Sequence, residues 1–330
     1  MTVKINDVAK LANVSNGTVS KVLKNYPNIS KETKDKVLKA IKELNYIPNY
    51  SASQLSSKKK NKIALILNID DTVCAIDEKY MQYILGAFST SKEKDVEITV
   101  IFRNTIEHYS TNEVIQYLIS LNINGLVIYG LTISDTTMHE IIKREIFWTT
   151  LVDVPISNSK TSYITINHTL AQYQVIEKLL EPNFDNRTLY IAGSDDSYIT
   201  KSQLEAIELL RNDYQIDIDI IFGNNSERNA YQITKDNASK YDIIACASDL
   251  MAIGAIHALV DLDIFKKCCG FDGLSLVAYA ERKIYTCYKD YFNISKQALD
   301  LTLKLITTNI NECLIVAYQI KILDYHEIIK

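Results

Sequence analysis

The sequence has 330 residues but only nine glycines, and it lacks every common glycine-based catalytic or phosphate-binding motif. There is no G-x-G-x-x-G turn for a dinucleotide, no P-loop for a nucleoside triphosphate and no G-x-S-x-G elbow for a nucleophilic serine. The segment HEIIK occurs at 139–143 and 326–330, but neither copy has the second histidine at i+4 that a zinc-peptidase helix requires. The sequence therefore predicts no catalytic residue, no cofactor and no metal site.

Long apolar runs and paired cysteines are also missing. No segment approaches 18 continuous apolar residues, so no membrane span is expected. The N-terminus, MTVKINDVAKLANV, has no apolar core of the kind found in signal peptides. The six cysteines form no C-x-x-C pair, and most of them lie in apolar, strand-like runs. We expect buried free thiols and a cytoplasmic location, because thiols stay reduced there.

Arginine is absent from the first 62 residues, which carry thirteen lysines and four acidic residues. The remainder of the chain is acidic enough to bring the formal net charge to −4. A basic segment on an acidic body favours a polyanion, such as nucleic acid, as the partner of that segment alone. A solvated, lysine-rich surface is the alternative interpretation.

The basic segment has the periodicity of three short helices. Apolar residues from Ile5 to Ala12 follow helical spacing, Ser15 is placed to cap a second helix, and Ser30 is placed to cap a third that runs through Asn45. The apolar residues predicted to face inward are Val19, Val22 and Leu23 in the second helix, and Val37, Leu38, Ile41 and Leu44 in the third. A tight turn between the first two helices predicts a helix-turn-helix, whose second helix enters the major groove of DNA. An ordinary three-helix bundle with a polar exposed face remains the alternative.

The same segment resembles the lac/gal repressor family. The match runs in register from IND-VA-KLANVS-GTVSKVLKN through ISKETKDKVLKAIKELNYIPN to ASQL, and it covers residues 3–55 without gaps. The resemblance implies a DNA-binding domain over residues 1–48 and a hinge helix or linker over 49–61. It implies that the residues in contact with DNA are Ser15, Asn16, Gly17, Thr18, Ser20, Lys21, Asn28, Tyr46, Asn49, Ala52 and Leu55.

Three of these positions carry particular expectations. Lys21 stands where family members often have arginine, and lysine cannot form the planar two-bond fork to guanine. Gly17 has no side chain, so it cannot read a base by hydrogen bonding. By the resemblance, Leu55 wedges into the minor groove at the centre of the operator, where an apolar side chain unstacks a base step. Simple linker packing is the alternative for Leu55.

From residue 62 onward, β-rich apolar runs alternate with helical patterns, which predicts an α/β fold with parallel sheets. Two similar sheets are expected in tandem, with a split near residues 155–158. The resemblance continues here as the family's periplasmic-binding-protein-like effector domain, most visibly in CASDLMAIGAIHAL and CGFDG. It predicts an effector domain over 62–330. One lobe would be formed by about 62–157 and 290–313, and the other by about 158–289 and 314–330.

The resemblance places a small-molecule ligand in the cleft between the lobes, at the carboxyl ends of strands. The positions that fall at the family's ligand contacts are Asp70, Asp153, Asn167, Gln203, Ser248, Asp272, Lys289 and Tyr291. Asp272 is the best match, because a carboxylate there can accept two sugar hydroxyls. Gln203 stands where an arginine is usual. For every one of these positions, a hydrogen-bonded residue at a strand end is the alternative.

Two segments, 130–137 and 197–207, are similar to the trehalose-6-phosphate-responsive branch of the family. The sequence departs from that branch after the first strand, where Ile69-Asp70-Asp71 stands in place of an arginine that would hold a phosphate. The expected ligand is therefore a sugar or a sugar phosphate.

These patterns together predict a DNA-binding transcriptional regulator that represses sugar-utilisation genes. It is expected to bind a near-palindromic operator as a homodimer, because two-fold protein symmetry matches two half-sites. The ligand in the cleft would change operator affinity allosterically through the hinge. A sugar-binding or sugar-processing enzyme with an N-terminal helical bundle is the alternative. A periplasmic sugar receptor is a third possibility, but it would need an export signal.

Overall fold

A computed structural model of the chain describes residues 4–23, 26, 29–44, 46, 61–69 and 78–323. Within those ranges, no helix is both long and apolar enough to cross a membrane. The same residues contain no group of three or more His, Cys, Asp or Glu side chains that could hold a metal ion. Cys246, Cys268, Cys269 and Cys287 are buried free thiols, as predicted, whereas Cys313 is exposed.

Three helices form the N-terminal head: α1 (Ile5–Ala12), α2 (Asn16–Leu23) and α3 (Lys31–Glu43). Asn13 has a left-handed backbone, which allows the tight turn from α1 into α2. Ser15 accepts a hydrogen bond from the backbone N–H of Thr18, and Ser30 accepts one from Thr33. Each serine thereby satisfies an N–H group that the first turn of a helix leaves unpaired. The predicted helix-turn-helix and the predicted serine caps of α2 and α3 are confirmed.

The head has its own apolar core. Val19 and Val22 of α2 are buried there, as predicted, together with Val37 and Ile41 of α3. The prediction that Leu38 faces inward is wrong, because its side chain is 45% exposed. The buried stripe of α3 runs through 37, 40 and 41, and one residue further along a helix turns the side chain by about 100°.

The remainder of the chain alternates strands and helices. The strands are β1 (Lys62–Leu67), β2 (Glu97–Phe102), β3 (Gly125–Tyr129), β4 (Trp148–Val152), β5 (Thr161–Thr165), β6 (Thr188–Ala192), β7 (Ile218–Phe222), β8 (Ile243–Cys246), β9 (Lys267–Cys269), β10 (Tyr285–Tyr288), β11 (Cys313–Ile315) and β12 (Gln319–Ile322). The helices are α4 (Glu78–Lys94), α5 (Thr111–Ser120), α6 (Thr136–Lys143), α7 (His168–Glu177), α8 (Tyr198–Tyr214), α9 (Glu227–Asn237), α10 (Asp249–Asp261) and α11 (Tyr291–Thr308).

The strands form two sheets, which define two lobes. The first has the order β11-β5-β4-β3-β1-β2, and the second has the order β12-β10-β9-β8-β6-β7. All pairs are parallel except β10 with β12. Central strands such as β3, β6 and β8 are buried along their whole length, as expected for parallel strands covered on both faces by helices. The predicted α/β architecture of two parallel-sheet lobes is confirmed.

The division between the lobes differs from the predicted split. The predicted split places residues 158–167 in the second lobe, but β5 pairs with β4 and β11 in the first sheet. The chain therefore crosses to the second lobe after residue 165, returns between β10 and α11, and crosses again between β11 and β12. An apolar β-rich run predicts a strand, but only its long-range pairing decides which sheet the strand joins.

Candidate functional site

The exposed side of α2 carries most of the predicted DNA contacts. Asn16, Gly17 and Lys21 are exposed, and Thr18 and Ser20 are partly exposed. The hydroxyl oxygens of Ser15 and Thr18 lie 2.9 Å apart at the start of the helix. Polar side chains and free N–H groups at a helix N-terminus can approach phosphates and base edges closely.

Gly17 is not required by the head itself. A Cβ atom built at this position would come no closer than 3.7 Å to the Ser15 hydroxyl oxygen, which is an ordinary contact. Glycine inside a helix lowers its stability relative to alanine. The packing of the head therefore does not explain why this exposed position is glycine, a residue that weakens the helix.

The other predicted DNA contacts divide into two groups. Tyr46 is buried in the core of the head, so its ring packs within the domain and is not presented on the surface. Asn28, Asn49, Ala52 and Leu55 lie outside the described residues, as does Asp70 of the predicted effector site.

The second candidate site lies where the chain passes from β10 to α11 between the lobes. Asp272 follows β9, and Lys289 and Tyr291 follow β10, so the three predicted residues meet at strand ends. The Tyr291 hydroxyl donates to Asp272 Oδ1 at 2.7 Å, and Lys289 Nζ lies 3.1 Å from the same oxygen. The Lys289 side chain is 1% exposed, and its ammonium lies over the rings of Phe271 and Tyr291.

The backbone of Asp272 is held in an uncommon conformation. Its φ of 124° lies in a region that residues with side chains rarely occupy. Asp272 N–H donates to the Cys287 carbonyl, which ties the turn to β10. Strain of this kind is found mainly where a side chain must be aimed at a site.

Asp153, at the end of β4, forms a second polar cluster. Its Oδ1 accepts hydrogen bonds from Thr165 at 3.1 Å and from His168 Nε2 at 2.8 Å. Burial acts to raise the pKa of Asp153, but His168 and, more weakly, Lys289 outweigh it and hold that pKa well below its usual range. Because an ionised carboxylate only accepts hydrogen bonds, His168 Nε2 must carry the proton. The His168 ring also contacts Phe271, so the two clusters adjoin.

Three other predicted ligand contacts have structural partners. Asn167 caps α7 by accepting from the N–H of Leu170, and Ser248 caps α10 by accepting from the N–H of Met251. Gln203 is fully buried in α8, and its amide donates to Gln172 and to the carbonyl of Ala247. For Asn167 and Ser248, these bonds fit the alternative of a hydrogen-bonded residue at a strand end, whereas Gln203 lies within a helix.

Hydrogen bonds also join the two lobes at two places. Ser134, after β3, donates its N–H and hydroxyl to the Asp196 carboxylate after β6, at 2.7 and 2.5 Å. Ser275, after β9, donates its N–H and hydroxyl to Glu78 at the start of α4, at 2.8 and 2.6 Å. A rearrangement of the lobes would have to break or rebuild these contacts.

Comparison with known proteins decides the assignment of the chain. Residues 4–49 match the family described as bacterial regulatory proteins, lacI family. The chain is 26% identical over 329 residues to the HTH-type transcriptional regulator MalR of Clostridium butyricum, covering 92% of this chain and 93% of that one. It is 29% identical over 274 residues to catabolite control protein A of Staphylococcus xylosus, covering 80% and 79%. Residues 4–49 therefore carry a lacI-family DNA-binding domain, and the chain is a DNA-binding transcriptional regulator.

Solved structures share the fold of this regulator. The transcriptional regulator CelR–cellobiose complex superimposes with a TM-score of 0.71 at 20% identity, covering 97% of this chain and 98% of that one. The lac repressor dimer bound to operator and the anti-inducer ONPF gives a TM-score of 0.67 at 22% identity, covering 98% of both chains.

Two buried polar residues of the regulator, His168 and Asp249, are absent from the predicted ligand contacts. His168 bonds Asp153, and Asp249 is fully buried, accepting from the N–H of Leu274 and the hydroxyl of Thr286, each at 2.7 Å. The position of Asp249 in the first turn of α10 gave no signal of this role, because both partners come from later parts of the chain.

Asp249 makes the stability of the regulator depend on pH. Burial, and then repulsion by Asp272, raise the pKa of Asp249 to about 7, whereas in an unfolded chain it would be about 4. Between these values the unfolded state loses a proton that the folded state keeps, so this residue lowers stability as the pH rises from about 4 to about 7.

The Asp249→Asn variant is expected to remove this contribution and to melt at a higher temperature than the original protein at pH 8. An amide keeps both bonds, because its oxygen accepts from Leu274 and its NH2 group donates to Thr286. The measurement is thermal unfolding by circular dichroism between pH 5 and pH 8, with Asp242→Asn, at a partly exposed carboxylate paired with Arg187, as control. If the melting temperature of Asp249→Asn changed with pH in the same way as that of the control, Asp249 would not be the source of the pH dependence.

Proposed function

We propose that this regulator represses sugar-utilisation genes. It binds a near-palindromic operator as a homodimer, and a sugar or sugar phosphate in the cleft controls its operator affinity. One observation carries the ligand part of the proposal: Asp153 and the Asp272–Lys289–Tyr291 cluster meet at strand ends beside the chain crossings between the lobes. CelR, whose fold is similar, was solved as a complex with cellobiose, and this supports a saccharide ligand here.

Binding to a fluorescent duplex from the regulator's own upstream region tests the proposal. The duplex is titrated at several salt concentrations, with and without a panel of sugars and sugar phosphates. Saturable binding that weakens steeply with salt and shifts with one ligand is the expected result. Binding without sequence preference or ligand response would overturn it, and turnover of a sugar would favour the enzyme.

The exposed glycine of α2 provides a diagnostic substitution. Gly17→Ala is expected to raise the stability of the head by about 0.5–1 kcal/mol, because alanine favours helix and the added Cβ meets no obstruction. Operator affinity is expected to fall nonetheless, since the Cβ would stand between the helix backbone and the DNA. Thermal unfolding and operator titration measure the two effects. A stabilised head with undiminished affinity would show that the backbone does not approach DNA at Gly17.

An apolar stripe on α4 supports the dimer. Met81, Leu85 and Phe88 follow helical spacing and are all exposed, which is costly for a face that stays in water. Leu85→Asp is expected to shift the protein from twice the chain mass of 37.5 kDa to the single mass in sedimentation experiments and to weaken operator binding. Leu209→Asp, at a similarly exposed position of α8, is the matched control. A Leu85→Asp protein that stays dimeric would move the interface away from α4.

A further inference from the structure

A second cavity lies at the end of the second sheet that is opposite the cleft. It is lined by residues just before and at the start of β9 and β10, by residues just after α7, and by the last residue of β12. Asp272 and Lys289, in contrast, follow the other ends of β9 and β10. Because ligands of parallel sheets bind at the carboxyl ends of the strands, this cavity is separate from the predicted ligand site.

The lining of this cavity, called the basic cavity below, carries five cationic side chains: Lys178, Lys266, Lys267, Arg282 and Lys283. Among the described residues that line it, none is an aspartate or a glutamate. Glu181, outside the lining, pairs with Lys267, and the nearby Asp263 and Glu281 are exposed. The whole chain has a formal net charge of −4, so this is a local excess of positive charge. Such an excess favours an anion as the occupant.

Backbone carbonyls hold two of the cations in place. Lys267 Nζ donates to the Leu179 carbonyl at 2.8 Å, and Arg282 Nη1 donates to the Ile264 carbonyl at 3.0 Å. These bonds join the end of α7 and the loop before β10 to the segment around β9. The walls of the basic cavity are therefore fixed before any ligand arrives, which lowers the entropic cost of binding.

An exposed aromatic ring stands at the rim. Phe265 is 79% exposed, and the guanidinium carbon of Arg282 lies 5.3 Å from the centroid of its ring. Below the rim, the lining includes the buried side chains of Leu179, Cys268 and Ile284. An aromatic ring that is held by a cation and open to solvent offers a surface on which a flat ring of a ligand can stack.

The size of the basic cavity limits how much of a ligand it encloses. Its volume is about 210 Å³. Sites that enclose a whole drug-sized ligand have volumes of about 300 Å³ or more. The basic cavity is therefore suited to the phosphate end of an organic phosphate, with the remainder of the ligand outside, where Phe265 stands.

We propose that the basic cavity binds a nucleotide. The lysine ammonium groups donate hydrogen bonds to the phosphates, which only accept them, and the base stacks on the ring of Phe265. This site shares no residue with the cleft, so its failure would leave the function proposed above intact.

Titration of the full-length regulator with ADP that carries a fluorescent anthraniloyl group on its ribose tests this assignment. Saturable binding that unlabelled ADP reverses is the expected result. Adenosine lacks the phosphates and pyrophosphate lacks the base, so each should displace the probe only at concentrations about tenfold higher than ADP. Absence of saturable binding would overturn the proposal. Equal displacement by pyrophosphate and ADP would also overturn it, because the site would then recognise charge alone.

Two substitutions show where the probe binds. Lys266→Met removes an ammonium and Phe265→Leu removes the aromatic ring, and each should weaken ADP binding about tenfold. Both side chains are at least partly exposed, so the fold should tolerate these changes. Lys240→Met, on the same lobe, and Lys39→Met, on the head, remove one exposed charge outside the basic cavity and should leave ADP binding unchanged.

Two outcomes of this comparison would contradict the assignment. Unchanged ADP binding in Lys266→Met and Phe265→Leu would place the nucleotide elsewhere on the protein. Equal weakening by Lys266→Met and Lys39→Met would mean that ADP is attracted by the overall positive charge of the head and not by the basic cavity.

Discussion

Replacement of Lys289 by methionine is expected to lower the free energy of unfolding by about 3–5 kcal/mol. Methionine preserves most of the side-chain volume between the rings of Phe271 and Tyr291, so the loss arises from charge and not from a cavity. Without its ammonium, the Asp272 carboxylate keeps, among the described residues, only the Tyr291 hydroxyl as a side-chain partner. A charge withdrawn from water with so little compensation is strongly unfavourable.

Chemical denaturation followed by circular dichroism measures this change. Lys267→Met is the matched control, since Lys267 pairs with Glu181 near the surface and a pair of that kind contributes less than about 1 kcal/mol. The double variant Lys289→Met/Asp272→Asn leaves no unpaired charge, so it should recover much of the lost stability. If Lys289→Met and Lys267→Met proved equally mild, the Asp272–Lys289 pair would not stabilise the junction between the lobes.

Replacement of Lys21 by methionine is expected to weaken operator binding by about 10- to 100-fold at fixed salt, the range of a lost base contact. Lys21 is exposed in the last turn of α2, on the side of the helix opposite the buried Val19 and Val22. From that position its flexible chain can reach a base edge or a phosphate.

The control separates a specific contact from general attraction. Lys39→Met removes one positive charge from an exposed position of α3, so it changes the net charge of the head equally. Its effect should be small and the same for operator and unrelated DNA. Equal losses for Lys21→Met and Lys39→Met would mean that α2 attracts DNA only by charge, and that sequence is read elsewhere.

The head could be predicted in detail because its signals are local. Ser15 and Ser30 cap helices through N–H groups three residues away, and Val19 and Val22 repeat at the spacing of one helical face. Leu38 was misplaced for an equally local reason. Residues 37 and 38 are both apolar, and only the packing of α1 and α2 against α3 decides which of them is covered.

In the effector domain, the helices and strands could be predicted from the sequence more fully than the contacts between side chains. Asp272, Lys289 and Tyr291 were singled out through their match to a family, and the structure brings them together. Gln203, singled out in the same way, lies buried among Gln172 and Ala247. The sequence does not predict the bond of His168, because its partner Asp153 lies fifteen residues earlier, just after a strand of the other lobe.

The sequence by itself determined the helices, strands and caps, the basic head on an acidic body, and the membership of the head in a regulator family. Periodicity, capping and charge act over a few residues, so a linear pattern is enough to specify them. The tertiary structure decided the lobe to which β5 belongs, the burial of Asp249 and the pairing of Lys289 with Asp272. These features depend on segments that are distant in the chain, and only folding brings their hydrogen bonds and charges within reach of one another.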